Sequence, residues 1–337
     1  MRTSLADLLA SKDVLLADGA TGTNYFQRGL TSGHAPELWN EEHPEHVQGL
    51  HREFVEAGAD IILTNSFGGT PQRLKLHQAE GRVFELAELA AKLAREVADE
   101  VERPVVVAGS VGPTGELFVP LGALTEDVAI ESFRAQIRGL KAGGADVVWI
   151  ETMSSADEVR AAAQAAIAED MPYTATCSFD TAGRTMMGLM PDAYEAVFEG
   201  LAVPPLAFGA NCGVGASDIL VSVGAMCANE GHLPVISKGN CGIPRFQGTE
   251  VVYSGTPELM GTYAQLAADT GVKIVGGCCG TSPAHLAAMR AALDSRVPGA
   301  VPTVDDIVDK IGPLTNSAPT ANAEGDRGGR RRSRRGE

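Results

Sequence analysis

The chain has 337 residues, 44% of them hydrophobic, and a formal net charge of −16. A chain of this length buries a core large enough to fold without disulfides, and its acidity argues against general nucleic-acid binding. No run approaches roughly 18 uninterrupted apolar residues, so we expect no membrane span. Residues 1–12 lack the apolar core of a targeting segment. We therefore expect a cytoplasmic protein that acts on small molecules, with neither a membrane nor nucleic acid as a partner.

One structural unit recurs along the chain: a short apolar run, a loop rich in Gly, Asn, Thr and Ser, and an amphipathic helix. Continuous apolar runs are typical of parallel strands buried on both faces, and alternating strands and helices predict a parallel sheet. Eight such units favour a closed (β/α)8 TIM barrel over an open doubly wound sheet, which stays the alternative. The predicted strands cover residues 14–18, 60–64, 104–109, 146–151, 172–179, 206–211, 234–238 and 272–276. The predicted helices include residues 44–57, 83–101, 126–142, 155–168 and 257–270.

The C-terminal stretch differs in composition from the rest of the chain. From Gly312 onward it has almost no apolar residues, and six arginines against three acidic residues give it a charge of +3. Such a segment cannot offset the entropy lost on ordering. We therefore predict a (β/α)8 barrel over residues 1–311 and a disordered basic tail over residues 312–337. The tail is either solvated and without a role, or it docks on an acidic partner or RNA.

Three cysteines follow predicted strands at one end of the barrel. Cys212 lies after the sixth strand, and Cys278 and Cys279 follow the eighth. The loops after the strands of a TIM barrel converge at one face, where active sites lie. Three thiolates would leave a tetrahedral Zn2+ with one open position, which suits a substrate thiolate as fourth ligand. Buried free thiols are the alternative for any lone cysteine, and this is our interpretation of Cys177, Cys227 and Cys241, the last of which is also a candidate fourth ligand.

Two carboxylates end predicted strands as well. Asp18 ends the first strand and Glu151 the fourth, each after apolar residues. A carboxylate there can accept a hydrogen bond from a substrate ammonium group; a rim ion pair or a helix cap is the alternative. The glycine-rich loops at residues 19–22 and 213–215 can present backbone N–H groups to a substrate carboxylate. A phosphate is the competing ligand, although neither loop matches a P-loop.

Six motifs lie at the predicted strand ends. They are Asp18-Gly19-Ala20-Thr21-Gly22-Thr23, Thr64-Asn65-Ser66-Phe67, Gly109-Ser110-Val111-Gly112-Pro113, Glu151-Thr152, Asn211-Cys212 and Gly276-Gly277-Cys278-Cys279-Gly280-Thr281. From about residue 5 to residue 296, the sequence resembles the homocysteine S-methyltransferase family. That family includes betaine–homocysteine methyltransferases and the homocysteine domain of cobalamin-dependent methionine synthases.

The resemblance implies a zinc-bearing (β/α)8 barrel and assigns roles to residues. It implies that the metal ligands are Cys212, Cys278 and Cys279. It also implies a substrate site in which Asp18 and Glu151 hold the homocysteine amino group, with the backbone of Gly19 and Ala20 near its carboxylate and Asn65 and Ser66 nearby. The homocysteine thiolate would attack the donor methyl group in line and give methionine, without a separate general base.

The methyl donor is the least determined part of this prediction. Betaine favours an aromatic cage, and Trp39 is either one wall of it or a packing residue. The betaine-using family members carry tyrosines where this chain has Gly68 and Thr152, which moves the pattern towards methionine synthase. The chain has no cobalamin module of its own, so we predict betaine or another small onium donor such as S-methylmethionine. The alternative is a split methionine synthase that uses methylcobalamin on a separate cobalamin-binding protein.

Two rival classes keep the barrel. In one, the zinc is structural and the chain acts as a binding subunit, so that zinc removal would unfold it. In the other, the chain is a phosphate-binding enzyme such as an aldolase, for which Lys238 at the end of the seventh strand is the candidate lysine.

Overall fold

The computed structural model describes residues 2–229, 233–242, 244–247 and 250–315. The first seven strands are β1 (Leu15–Leu16), β2 (Ile61–Leu63), β3 (Val106–Val111), β4 (Val147–Met153), β5 (Tyr173–Cys177), β6 (Ala207–Cys212) and β7 (Val235–Gly239). They are followed by β8 (Pro244–Gln247), β9 (Glu250–Tyr253) and β10 (Ile274–Gly277). Each of the eight predicted apolar runs overlaps one strand of the main sheet, as expected for parallel strands that are buried on both faces.

The main sheet is an eight-stranded parallel barrel. Its strands lie in the order β1-β10-β7-β6-β5-β4-β3-β2. A parallel bridge between Ala17 and Ile61 joins the two ends of this order and closes the barrel. The predicted (β/α)8 fold is therefore confirmed. Strands β8 and β9 form a separate antiparallel hairpin after β7, which the sequence pattern did not predict.

Helices surround the barrel and include all five that the periodicity predicted. In chain order they are α1 (Leu5–Ser11), α2 (Gly22–Gln27), α3 (Trp39–Glu42), α4 (Pro44–Glu56), α5 (Pro71–Leu74), α6 (Val83–Asp99), α7 (Glu126–Ala142), α8 (Ala156–Ala168), α9 (Ala216–Cys227), α10 (Pro257–Thr270), α11 (Pro283–Asp294) and α12 (Val304–Ile311). Thr125, Ser155 and Thr256 cap α7, α8 and α10 by accepting a hydrogen bond from a backbone N–H of the first turn. These caps explain why the helices begin where they do.

Alternate residues of the strands face two different cores. One side packs inside the barrel, with Ile61, Val106 and Trp149 among its members, and the other packs against the surrounding helices. Leu5 and Leu8 of α1 join the inner cluster and cover the N-terminal end of the barrel. Because that end is filled by apolar side chains, the polar strand ends at the opposite face are the part of the barrel available for ligands.

The predicted tail falls mostly outside the part of the chain that can be described. Residues 316–337 lie outside the described residues. Before them, α12 packs near the start of α9, where Ser217 Oγ donates to the carbonyl oxygen of Gly312 at 2.8 Å. Within the described residues, no helix is both long enough and apolar enough to cross a membrane.

Candidate active site

Three cysteine thiols meet at the C-terminal face of the barrel. Cys212 is the last residue of β6, and Cys278 and Cys279 follow β10. Both strands pair with β7, so a single strand separates them. The three Sγ atoms all lie within 4.8 Å of one another. The structure thus brings together the three residues that the sequence predicted as metal ligands.

Backbone geometry holds the thiols in place. Cys212 has a φ of 62°, a left-handed conformation that is costly for a residue with a Cβ and that turns the chain sharply at the end of β6. The Cys278 N–H donates to the carbonyl oxygen of Gly239 at 2.8 Å. Gly277 permits the turn after β10, because a Cβ there would lie 2.2 Å from the side chain of Thr281.

Two asparagine amides support the sulfur cluster. Asn240 Nδ2 lies 3.8 Å from Cys212 Sγ, and Asn211 Nδ2 lies 3.8 Å from Cys278 Sγ. Asn211 is itself fixed by Thr152, whose backbone N–H donates to its Oδ1 at 2.8 Å. Amide donors near sulfur stabilise the thiolate form and orient the ligands of a metal. We did not predict a role for Asn240; its position after β7 is the only sequence signal for one.

The chemistry of this cluster fits a bound metal ion. The hydrogen bond with Cys278 lowers the pKa of Cys212, but the hydrogen bond with Cys279 and burial outweigh it and raise the pKa to about 12. The pKa of Cys279 is raised to about 12 as well, since the lowering effect of Cys212 is outweighed by Cys278 and burial. Without a cation, the thiols are therefore neutral at pH 7. Three soft sulfur donors this close together suit Zn2+, whose binding would release their protons.

Charged side chains lie beside the thiols on the barrel floor. Lys238 Nζ donates to Asp18 Oδ1 at 2.7 Å, and both side chains are 2% exposed. The backbone N–H of Leu63 donates to the other oxygen of Asp18, also at 2.7 Å. Ser110 Oγ donates to Glu151 Oε1 at 2.5 Å. Both oxygens of Asp18 are thus engaged within the protein.

Lys238 balances the two carboxylates. Burial lowers the pKa of Lys238, but the carboxylates of Asp18 and Glu151 outweigh this effect and leave the pKa raised. Burial also raises the pKa of Glu151, while Lys238 and the hydrogen bond from Ser110 act in the opposite direction. The ammonium group of Lys238 therefore keeps its charge in a buried site that carries two acidic groups.

A cavity of about 490 Å3 opens above this floor. The predicted residues on its wall are Gly19, Ala20, Asn65, Glu151, Cys212, Cys278 and Cys279. The Ala20 N–H already donates to the carbonyl oxygen of Thr281 at 3.1 Å. The backbone N–H of Gly19, the other predicted donor, forms no hydrogen bond with any described residue. Asn65 Nδ2 donates to the carbonyl oxygen of Pro36 at 2.6 Å, which holds this wall together.

Three residues that the sequence placed near substrate are not on the cavity wall. Asp18 lies beneath Lys238, which takes its place on the wall. Ser66 is 1% exposed, and its hydroxyl donates to the carbonyl oxygen of Ser110 at 2.8 Å, so it braces the loop from behind. Trp39 is 5% exposed and packs on the rings of His43 and His46, in agreement with the packing interpretation rather than a donor cage.

Sequence reasoning missed the outer part of this cavity. It is lined by Glu37, Phe26, Arg73 and His77, none of which belongs to one of the six motifs. Phe67 also lines it and ends the second motif, but the sequence analysis assigned it no role. The sequence analysis singled out Lys238 only as the candidate lysine of an aldolase, not as a residue of a methyltransferase site. Its partner Asp18 is 220 residues away in the chain, and only the closed barrel brings the two together.

The fold and the thiol-lined cavity define a (β/α)8-barrel enzyme with a candidate metal centre at its C-terminal face. The family model for homocysteine S-methyltransferase matches residues 15–293, and the chain belongs to that family.

Relatives with known names are consistent with this assignment. The methionine synthase of Mycobacterium tuberculosis (strain ATCC 25618 / H37Rv) is 30% identical over 307 residues, which cover 86% of this chain and 25% of that protein. The methionine synthase of Mycobacterium leprae (strain TN) is 30% identical over 316 residues, or 89% of this chain and 26% of that protein. The chain thus spans about a quarter of the length of these relatives.

Solved structures share the fold. The metallated form of the homocysteine methyltransferase MmuM from Escherichia coli superposes with a TM-score of 0.70 and 24% sequence identity, over 85% of this chain and 98% of that one. A methyltransferase from Methanosarcina mazei gives a TM-score of 0.52 at 15% identity, over 85% of this chain and 97% of that one.

Proposed function

We propose that this protein is a zinc-dependent homocysteine S-methyltransferase that forms methionine from homocysteine and a small onium methyl donor. The observation that carries the proposal is the cluster of three cysteine Sγ atoms within 4.8 Å at the floor of the cavity. Cys212, Cys278 and Cys279 would hold the metal. A bound zinc ion would supply the Lewis acidity that keeps the substrate sulfur deprotonated and nucleophilic.

The remaining residues would bind and orient homocysteine. Glu151 lines the cavity and would accept a hydrogen bond from the substrate ammonium group. The Gly19 N–H lies on the same wall and would donate to the substrate carboxylate. Asp18 would act through Lys238, whose charge offsets the negative charge of the floor. The enclosed site would exclude water and hold the sulfur in line with the donor methyl group.

A second candidate function is methyl transfer from methylcobalamin on a separate cobalamin-binding protein. Two observations favour it. The relatives are methionine synthases of which this chain spans about a quarter of the length, and Gly68 and Thr152 stand where betaine-using members of the family carry tyrosines. The homocysteine half of the reaction would be the same in both cases. The donor is what distinguishes them.

The test is an assay of the purified protein with zinc and homocysteine. Betaine, S-methylmethionine and a methylcobalamin carrier are offered separately, and methionine is measured. We expect Cys278→Ser to lose both bound zinc and methionine formation, because a metal ligand is removed. Cys227→Ser is the matched control, since Cys227 lies in α9 away from the cavity. Full zinc content and activity in Cys278→Ser would contradict the assignment.

A further inference from the structure

A buried carboxylate stands in the cavity where an aromatic cage would be expected. Glu37 is 5% exposed, and its Oε1 accepts a hydrogen bond from the Gly68 N–H at 2.6 Å. A Cβ at Gly68 would lie only 3.0 Å from that oxygen, so a tyrosine at this position would crowd the carboxylate. Gly68, whose lack of an aromatic ring argues against an aromatic cage, thus leaves space for the Glu37 carboxylate.

Aromatic rings and cationic side chains line the same cavity as this carboxylate. Phe67 is 37% exposed and Phe26 is 53% exposed, so both present ring surface to the cavity rather than to the core. Arg73 is exposed at the mouth, and among the described residues it forms neither an ion pair nor a hydrogen bond. His77 lies on the same wall. The cavity therefore offers a carboxylate beside apolar walls and, further out, a guanidinium whose charge acts on Glu37 from beyond ion-pair distance.

We propose that Glu37, Phe26 and Phe67 bind the cationic head of the methyl donor, and that Arg73 binds a carboxylate carried by the same donor. The ligand class is a zwitterionic onium compound, either an ammonium or a sulfonium, that carries a carboxylate. This inference rests on the proposed function and assigns its donor subsite. A carboxylate beside aromatic rings attracts a methyl-bearing cation through charge and through the ring quadrupole, and a guanidinium is suited to a carboxylate.

The charges of this arrangement match the reaction. The substrate sulfur forms a bond to the methyl carbon while the bond from that carbon to the onium nitrogen or sulfur breaks. The bonding electron pair leaves with the nitrogen or sulfur, so an anion and a cation become a neutral thioether and a neutral amine or thioether. The positive charge near Glu37 is thus being lost in the transition state. Glu37 would therefore stabilise the bound donor more than it stabilises the transition state. Its removal should raise the KM for the donor without lowering kcat.

Two conservative variants separate the two parts of the donor. In Glu37→Gln the amide oxygen can still accept the Gly68 N–H, so we expect a folded protein whose KM for every onium donor rises by about 10-fold or more with kcat unchanged or higher. In Arg73→Gln we expect a similar rise for betaine and S-methylmethionine. Inhibition by tetramethylammonium, which has no carboxylate, should weaken in Glu37→Gln and should not weaken in Arg73→Gln. Glu80→Gln and Lys75→Gln are the matched controls, because both residues are exposed and neither lines the cavity.

The outcomes distinguish this subsite from the proposed function. Unchanged donor KM and unchanged tetramethylammonium inhibition in Glu37→Gln would overturn the subsite. The subsite is also wrong if wild-type protein binds homocysteine and methylates it from methylcobalamin but from no onium compound; homocysteine methylation itself would then stand. If the zinc-loaded protein does not bind homocysteine in calorimetry, the proposed function itself is wrong, and not only the donor subsite.

Discussion

The buried pair between Lys238 and Asp18 determines the charge of the cavity floor. Two carboxylates, Asp18 and Glu151, share one ammonium group there, and the nearest of these contacts is 2.7 Å. Removing one partner of a buried ion pair leaves the other charge desolvated and uncompensated, which costs far more than the pair itself contributes. Lys238 therefore stabilises the fold as well as shaping the site.

We predict that Lys238→Met lowers the free energy of unfolding by about 3–5 kcal/mol at pH 7, because Asp18 loses its partner. Urea denaturation followed by circular dichroism measures this loss. The double variant Asp18→Asn with Lys238→Met should recover a large part of it, since no buried charge is then left unpaired at that position. Lys92→Met is the control; Lys92 is 52% exposed and its ion pair with Glu88 contributes little. A Lys238→Met variant as stable as this control would show that the pair carries no such energy.

The site residues that could be predicted from the sequence are those at or near the ends of predicted strands. Cys212 ends β6, Cys278 directly follows β10, and Glu151 lies two residues before the end of β4. At these positions the barrel topology alone brings side chains to one face. Glu37 was not predictable in this way, because it lies in a 3-10 helix within the long connection after β1. The contact between Glu37 and Gly68 depends on how that connection packs in three dimensions, and no local sequence pattern predicts this packing.

At the level of elements, the strands and long helices follow directly from hydrophobic periodicity. The predicted helices at residues 126–142 and 257–270 coincide with α7 and α10, both capped by threonine. The β8–β9 hairpin and α12 were not predicted. Helix α12 has eight residues, of which only Ile307 is buried, so its apolar signal is small. Short elements of this kind are specified by tertiary contacts rather than by their own pattern.

The turn between β10 and α11 is the element on which the thiol pair depends. We predict that Gly277→Ala lowers the zinc content of the purified protein well below one per chain, because the added Cβ would lie 2.2 Å from Thr281, which is fully buried. Such overpacking shifts the backbone that carries Cys278 and costs about 1–3 kcal/mol of stability. Elemental analysis of metal per chain measures the effect. Gly81→Ala is the control, since nothing lies within 4 Å of its Cβ position; equal zinc content in both variants would argue against the role of this turn.

For the whole molecule, the barrel closes without help from the thiols. The Ala17–Ile61 bridge completes the ring of strands, and α1 fills its opposite end with Leu5 and Leu8. The three cysteines lie at the ends of strands on the other face, outside the inner apolar cluster. The core that stabilises the fold and the cluster that would hold the metal are therefore separate parts of the structure.

We predict that removing the metal with a chelator abolishes methionine formation but leaves the barrel folded. Small domains that depend on a structural zinc unfold without it, whereas a barrel of this size has a core that is sufficient by itself. The far-ultraviolet circular dichroism at 25 °C and a cooperative thermal transition should both persist, with the transition at a lower temperature because a ligand of the native state has been lost. Adding zinc back should restore activity. Collapse of the spectrum on chelation would instead favour a structural metal in a chain that acts as a binding subunit, since the fold would then depend on the thiol cluster.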